Sequence, residues 1–282
     1  MNSILLSLIV LGCIGLISAL ILYYVLAKFK VDENPYIDKI EALLPGANCG
    51  GCGFAGCRNF AEKCASSESM DGLFCPVGKD ETMQSIAKLL GKSAPIEEPK
   101  IAVVRCQGNC EVRPRTNIYD GATSCKIANT LYIGETGCPN GCLGYGDCEF
   151  SCPFDSIHID IKTKLPVVIE DLCTACGKCV TACPRDIIQI RRKGPKNRRI
   201  YVSCINQEKG GIARKSCAVA CIGCGKCVKE CAFEAISITN NLAYIDDNKC
   251  SLCKKCVQVC PTGAIVTANF PIKQVKQEDE NV

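Results

Sequence analysis

The chain has 282 residues and a formal net charge of +4, too mild a balance to mark a nucleic-acid binder. With 27 cysteines, one histidine, no tryptophan and 6% aromatic residues, it excludes a large conventional core. Small units stapled by metal centres or cross-links are expected instead.

From Asn2 to Ala27 no residue is charged, and Ile4 to Leu26 is mostly leucine, isoleucine and valine. About 20 apolar residues span a bilayer core. A cleaved signal peptide has a basic leading region, a shorter apolar stretch and a small-residue cleavage site, and Met1–Ser3 offers no basic side chain. Tyr23 and Tyr24 followed by Lys28 and Lys30 read as an interfacial belt with a positive flank. Residues 1–27 are therefore expected to be an uncleaved single-pass anchor in the cell membrane, with the bulk on the cytoplasmic side. Cys13, inside this stretch, reads as a small apolar filler.

Residues 28–92 read as a small cysteine-rich domain. It opens with a short amphipathic helix, Asp32–Leu44, entered after Pro35, and ends with a helix from residue 79 that stops near Gly91. Between them stands Cys49-Gly-Gly-Cys52-Gly-Phe-Ala-Gly-Cys57, closed by Cys75-Pro76. The expected ligands of one [4Fe–4S] cluster are Cys49, Cys52, Cys57 and Cys75. Glycines between them let backbone N–H groups approach the sulfurs and raise the potential. Cys64 lies in the intervening helix and reads as packing. Residues 93–134 form a linker and lead-in, with a strand at Ile101–Val104.

The remainder repeats one unit four times: Cys152-Pro-Phe-Asp-Ser-Ile-His-Ile, Cys183-Pro-Arg-Asp-Ile-Ile-Gln-Ile, Cys231-Ala-Phe-Glu-Ala-Ile-Ser-Ile and Cys260-Pro-Thr-Gly-Ala-Ile-Val-Thr. Each is a cysteine, a tight turn and a short strand. Paired, they predict two tandem ferredoxin-like modules over 135–193 and 212–270, joined by a basic hairpin and connector at 194–211. A tail at 271–282 follows, polar and frayed from Gln274. The class expected overall is α+β.

Cys250-x-x-Cys253-x-x-Cys256-x-x-x-Cys260-Pro261 and Cys221-x-x-Cys224-x-x-Cys227-x-x-x-Cys231 are two complete four-cysteine runs. In two-cluster bacterial ferredoxins the fourth cysteine of each run ligates the other cluster. One cluster should then use Cys221, Cys224, Cys227 and Cys260, the other Cys250, Cys253, Cys256 and Cys231. In the preceding module the run Cys173, Cys176, Cys179, Cys183 is regular, while its mate, Cys138-x3-Cys142-x5-Cys148-x3-Cys152, is stretched. The same crossing groups Cys138, Cys142, Cys148 and Cys183, and Cys152, Cys173, Cys176 and Cys179. Five clusters are expected.

A looser echo joins Val104-Arg-Cys106 … Cys125 … Cys138 to Val202-Ser-Cys204 … Cys217 … Cys221 and suggests duplication of a longer unit. Cys106, Cys110, Cys125, Cys204 and Cys217 could build a sixth metal site; the favoured reading is buried thiols left by the duplication. Arg191-Arg-Lys-Gly-Pro-Lys-Asn-Arg-Arg199 reads as a hairpin tip, either steering an acidic electron donor or simply solvated. Asp120-Gly-Ala-Thr123 faintly resembles a covalent flavin attachment motif, but Cys125 follows and the context is wrong. No Rossmann fingerprint or phosphate-binding loop is present, so no direct NAD site is expected.

Two alternatives to a specific, cluster-bearing membrane electron carrier stay open on the residues. One is a membrane-tethered polyferredoxin serving another redox enzyme without ion pumping. The other is a structural zinc scaffold, which two complete four-cysteine runs and a lone His158 disfavour.

One apolar anchor, then C-x2-C-x4-C-x17-C, then ferredoxin runs resembles the B subunit of the Rnf complex, the bacterial ion-translocating ferredoxin:NAD+ oxidoreductase, in its longer form with two ferredoxin modules. The resemblance covers nearly the whole chain and is most specific at Cys49–Cys75 beside the apolar segment. It implies an iron–sulfur electron-transfer subunit of a translocase, with no catalytic acid, base or nucleophile of its own. Soluble ferredoxin would donate to the C-terminal clusters, and electrons would pass to the Cys49–Cys75 cluster near the membrane. Other membrane and flavin subunits would carry them on to NAD, coupled to Na+ or H+ movement.

Overall fold

The computed structural model describes residues 3–28, 34–94 and 98–271; the tail from 272 and residues 29–33, Lys30 among them, lie outside the described residues. Helix α1 runs Ser3–Lys28, 26 residues, and at about 1.5 Å per residue it is long enough to cross a membrane. Its stretch Leu8–Val25 is apolar on every side, and none of it is buried. Such a surface is suited to lipid rather than water. Lys28 Nζ lies 5.7 Å from the Tyr24 ring at the polar end.

Three helices follow: α2 (Tyr36–Leu43), α3 (Cys57–Ser66) and α4 (Lys79–Leu90). Asn34 Oδ1 accepts from Tyr36 N at the start of α2, so the helix begins at Tyr36 rather than near Asp32. In α4, Asp80 and Glu81 occupy the first turn and Gly91 ends the helix in the left-handed region, φ +65°. The three helices enclose a core of Ile40, Phe60, Cys64, Met70, Met83 and Ile86. Arg58 ties α3 to α2 through Asp38 and Glu41 at 3.2 and 2.9 Å.

Beyond residue 98 the same order of elements occurs twice. The first round is β1 (Lys100–Val104), α5 (Cys125–Leu131), α6 (Asp147–Phe150), β2 (Ile157–Ile159), β3 (Pro166–Val168), α7 (Lys178–Ala182) and β4 (Ile188–Arg192). The second is β5 (Arg199–Val202), α8 (Gly210–Ser216), α9 (Lys226–Glu230), β6 (Ile236–Thr239), β7 (Leu242–Ile245), α10 (Lys255–Gln258) and β8 (Ile265–Ala268). Each round makes two antiparallel ribbons, first strand with last and the middle two together. Ala102 faces Ile190 and Tyr201 faces Val266 across the outer ribbons.

This pairing changes two sequence expectations. Part of the 93–134 lead-in belongs to the first round, because β1 completes its outer ribbon and α5 lies between that strand and the cysteine run. The basic segment is not a hairpin either, since β4 and β5 belong to different sheets. Its charge is largely tied up within the fold: buried Arg191 donates to Ile245 O and pairs with Asp247 at 3.5 Å, Arg192 meets Glu98 and Asn248, and buried Arg199 meets Glu170.

The turn after each fourth cysteine is built the same way four times. Asp155, Asp186, Glu234 and Gly263, each third after its cysteine, have φ of +48°, +51°, +48° and +67°. That left-handed residue reverses the chain and launches the strand that follows. The two rounds are stitched by buried Arg105, whose Nε and Nη2 donate to Val202 O and Cys204 O at 3.1 Å each. Ala218 N also donates to Val112 O, 2.8 Å, and Gln107 Nε2 to Gly263 O, 2.7 Å.

Candidate iron–sulfur sites

Cys49, Cys52, Cys57 and Cys75 line one cavity of about 320 Å³, together with Leu44, Phe60, Pro76 and Val77. Asn48 Oδ1 accepts from Cys57 N at 2.8 Å and fixes the loop onto the start of α3. Gly78 N donates to Cys75 Sγ at 3.4 Å. Cys64 is fully buried in the helical core outside this cavity, and burial pushes its thiol up to about 11. It packs rather than ligates. Cys64→Ala should lower stability by about 1 kcal/mol and leave the iron content unchanged, as read by thermal melting and iron assay.

In the second round, Cys221, Cys224, Cys227 and Cys260 line a cavity of about 340 Å³. Cys250, Cys253, Cys256 and Cys231 stand together next to it: burial first, then the neighbouring Cys250, Cys253, Cys227 and Cys231, push the Cys256 thiol up to about 12. In the first round, Cys152, Cys173 and Cys176 crowd Cys179, whose thiol burial and these neighbours push up to about 12. Ser156 N and Oγ lie 3.4 and 3.2 Å from Cys152 Sγ.

The first round's own cavity, about 380 Å³, departs from the expected grouping. It is lined by Cys125, Cys142, Cys148 and Cys183, and Cys138 is not among its walls. Cys125 reaches it because Asp147, at the start of α6, accepts from Ser124 Oγ, Cys125 N and Lys126 N at 2.9, 2.8 and 3.0 Å. The carboxylate thereby pins the start of α5 beside Cys148. The stretched spacing between Cys142 and Cys148 lacks a middle cysteine, and Cys125 stands in that place from an earlier helix.

Cys138 faces the junction between the two rounds. The groups that act on its thiol, after burial, include Cys106, Arg113 and Asn206. Cys217 in turn feels Cys106 and Cys138, and Cys204 feels Cys221 and Cys106. Asn206, 1% exposed, donates from its backbone N to Cys204 Sγ at 3.4 Å and from Nδ2 to Cys138 Sγ at 3.6 Å. Cys106 and Cys138 come from the first round, Cys204 and Cys217 from the second. Cys106 and Cys204 each follow an outer strand by two residues, and Cys138-x3-Cys142 matches Cys217-x3-Cys221. Four of the surplus thiols therefore have places: Cys125 in the first round, Cys106, Cys204 and Cys217 at the junction. Cys110 is exposed.

The donor sets fit iron–sulfur cubes rather than single ions. Among the described residues no three of Cys, His, Asp and Glu converge tightly enough to hold one metal ion, whereas four thiols surround each cavity. Crowded, buried thiols resist ionisation unless a cationic core sits among them. Thr174 Oγ1, in the turn between Cys173 and Cys176, is buried without a partner, as is Arg113 Nε, which lies over Gly108 on the same side as Cys217 Sγ. A sulfur-rich anionic group bound at each place would give both donors an acceptor.

A 4Fe-4S dicluster domain model matches residues 220–264, a 4Fe-4S binding domain model residues 166–189, and a putative Fe-S cluster model residues 44–72. The chain is 44% identical over 266 residues to the B subunit of the Na(+)-translocating ferredoxin:NAD(+) oxidoreductase complex of Acetobacterium woodii, covering 94% of this chain and 78% of that protein. It is 43% identical over 267 residues to the B subunit of the proton-translocating ferredoxin:NAD(+) oxidoreductase complex of Clostridium ljungdahlii, covering 94% and 93%. To the B subunit of the ion-translocating oxidoreductase complex of Methanosarcina acetivorans it is 41% identical over 266 residues, covering 94% and 99%.

Proposed function

This chain belongs to the B-subunit family of the Rnf-type ion-translocating ferredoxin:NAD+ oxidoreductases, and from that premise we propose that it lays six [4Fe–4S] sites end to end between soluble ferredoxin and the membrane. It is an iron–sulfur electron-transfer subunit of such a complex, works with the other complex subunits, and associates with the membrane. When bound, each cluster takes up and releases one electron at a potential set by its surroundings, within roughly −700 to +450 mV.

What the chain supplies is order. What supports this reading is adjacency: the Cys49–Cys52 loop meets Cys176 at Gly51, and the five quartets beyond residue 98 lie close enough for their thiols to act on one another. Cys179 touches the field of Cys148, Cys142 that of Cys106, Cys204 that of Cys221, and Cys256 that of Cys227. The sites then run in sequence: Cys152/Cys173/Cys176/Cys179, Cys125/Cys142/Cys148/Cys183, Cys106/Cys138/Cys204/Cys217, Cys221/Cys224/Cys227/Cys260 and Cys231/Cys250/Cys253/Cys256. The Cys49/Cys52/Cys57/Cys75 site lies nearest to α1 in the chain. Six quartets account for all but Cys13, Cys64 and Cys110 of the 27 cysteines. The two rounds are read as tandem dicluster modules with a shared site at their junction.

Soluble ferredoxin docks on the second round. Cys224 and Cys253 are exposed there, and Lys226, Lys229, Lys249 and Lys255, within five residues of one or the other in the chain, are exposed too, alongside exposed Glu230 and Glu234. Exposed lysines in excess of acids steer an acidic partner, and the steering weakens as salt rises. The helix α1 crosses the cell membrane once with the iron–sulfur part on the cytoplasmic side. The relatives' names differ in the ion moved. The test is an anaerobic titration of the membrane-bound complex with limiting reduced ferredoxin. Bleaching of the visible absorbance should extend to all of the chain's clusters; bleaching confined to the share held by the second round contradicts the continuous row.

A further inference from the structure

In each regular run the middle cysteine sits at the tip of a loop between two left-handed residues: Ala175 and Gly177 around Cys176, Gly223 and Gly225 around Cys224, Leu252 and Lys254 around Cys253, with φ between +57° and +81°. This conformation pushes the middle cysteine outward, so it is the ligand nearest to whatever lies outside the loop. Cys224 and Cys253 are exposed, whereas Cys176 is only partly so. The group lying against Cys176 is Gly51, from the loop between Cys49 and Cys52. A methyl group on Gly51 would stand 2.9 Å from both Cα and Cβ of Cys176 and 3.0 Å from its carbonyl oxygen.

Space, not backbone shape, is what demands a glycine here. Gly50 and Gly53 have φ of +73° and +85°, whereas Gly51 lies outside the left-handed region. An alanine therefore suits the local backbone at 51 but cannot be placed without moving the Cys176 loop away. The missing side chain allows the two ligand loops to touch, backbone to backbone.

We infer that Gly51 is a positioning residue for electron transfer, setting the spacing between the Cys49/Cys52/Cys57/Cys75 site and the Cys152/Cys173/Cys176/Cys179 site at the Gly51–Cys176 contact. The inference rests on the reading of both quartets as cluster sites. The transfer it serves moves one electron, oxidising one site and reducing its neighbour, with no bond made or broken. Any side chain at 51 lengthens the gap between the two loops, and the lengthening grows with the side chain. The surfaces of Cys224 and Cys253 remain for partners, while the tip at Cys176 is closed by the protein itself.

The test compares Gly51→Ala, Gly51→Val and, as control, Gly211→Ala, a position with nothing within 4 Å of the added methyl, all in the intact membrane complex. Iron content and the reduction potential of each cluster are measured first; unchanged values establish that both sites are built. The readouts are the magnetic interaction between the two reduced clusters by electron paramagnetic resonance and the rate at which reducing equivalents reach the membrane-proximal site. The interaction should weaken in the order glycine, alanine, valine, and the rate should fall several-fold in the same order, because the two sites are held further apart. Full iron with an unaltered interaction and rate in Gly51→Val overturns the inference while leaving the two sites standing. Wild-type protein with no cluster bound by Cys49–Cys75 defeats the reading beneath it.

Discussion

Cys204→Ser combined with Cys217→Ser should remove about four iron atoms per chain and cut the first round off from the second. Both thiols are buried, both come from the second round, and both meet the junction that Cys106 and Cys138 reach from the first. Each round keeps its own two quartets, so the remaining clusters still assemble. In a rapid-mixing experiment with reduced ferredoxin, the clusters of the second round should bleach as in the wild type, while bleaching of the remainder falls far behind it. Unchanged iron and unchanged kinetics would mean that the junction thiols pack and hold no cluster. Because two buried serines could loosen the fold, Asn206→Leu serves as a second probe. It removes the Nδ2 donor 3.6 Å from Cys138 Sγ while keeping all four thiols. Loss of a hydrogen bond to a ligand sulfur lowers the cluster potential, a shift that packing damage alone does not produce.

Anaerobic removal of iron with a chelator should unfold residues 98–271 and spare much of the helical domain before them. The difference lies in what each part has besides its cysteines. Helices α2, α3 and α4 close on Ile40, Phe60, Met70, Met83 and Ile86, a core of large apolar side chains. Among the described residues the first round's buried cluster joins Ala102, Ile157 and Ile188 to Cys148 and Cys179, with Ile101, Val103 and Ile187 buried outside it. In the second, Cys204, Cys217, Cys221, Cys227 and Cys256 share the core with Ile200, Val202, Ile236, Ile245 and Ile265, so the apolar side chains close around the cysteines rather than on one another alone. Ribbons of two strands are marginal on their own. Metal binding there is folding energy. Circular dichroism and limited proteolysis of the chelated chain read the outcome: strand signal lost and cleavage spread through 98–271, with α2–α4 protected. Retention of a protease-resistant 98–271 segment would show that the ribbons stand without the clusters.

Spacing made most of this legible beforehand. A transmembrane-length apolar run, the glycine-rich block closed by Cys75, and the regular runs at Cys173, Cys221 and Cys250 each depend on neighbours within a few residues, which a sequence displays directly. The four cysteine–turn–strand copies disclosed a tight turn by its recurrence; the left-handed residue that makes it, at Asp155, Asp186, Glu234 and Gly263, came from the structure. What spacing does not display is closure by distant segments. Cys125 reaches Cys142 and Cys148 only because Asp147 caps α5 from the start of α6, a contact across 22 residues. Cys138 belongs to the junction because the two rounds pack face to face through Arg105 and Asn206. The echo of Cys106 with Cys204 pointed the right way, but matching Cys138 to Cys221 instead of Cys217 hid the symmetry. The basic run misled for a similar reason: six positive charges in sequence look free until Asp247, Glu98 and Glu170 arrive from elsewhere in the fold.

The most direct test of the account is a count of iron and acid-labile sulfide on the full chain purified without oxygen. Six cysteine quartets predict about 24 of each per chain, with a broad brown absorbance. A reproducible value of about 20 in fully loaded protein would remove the junction site and break the row in two.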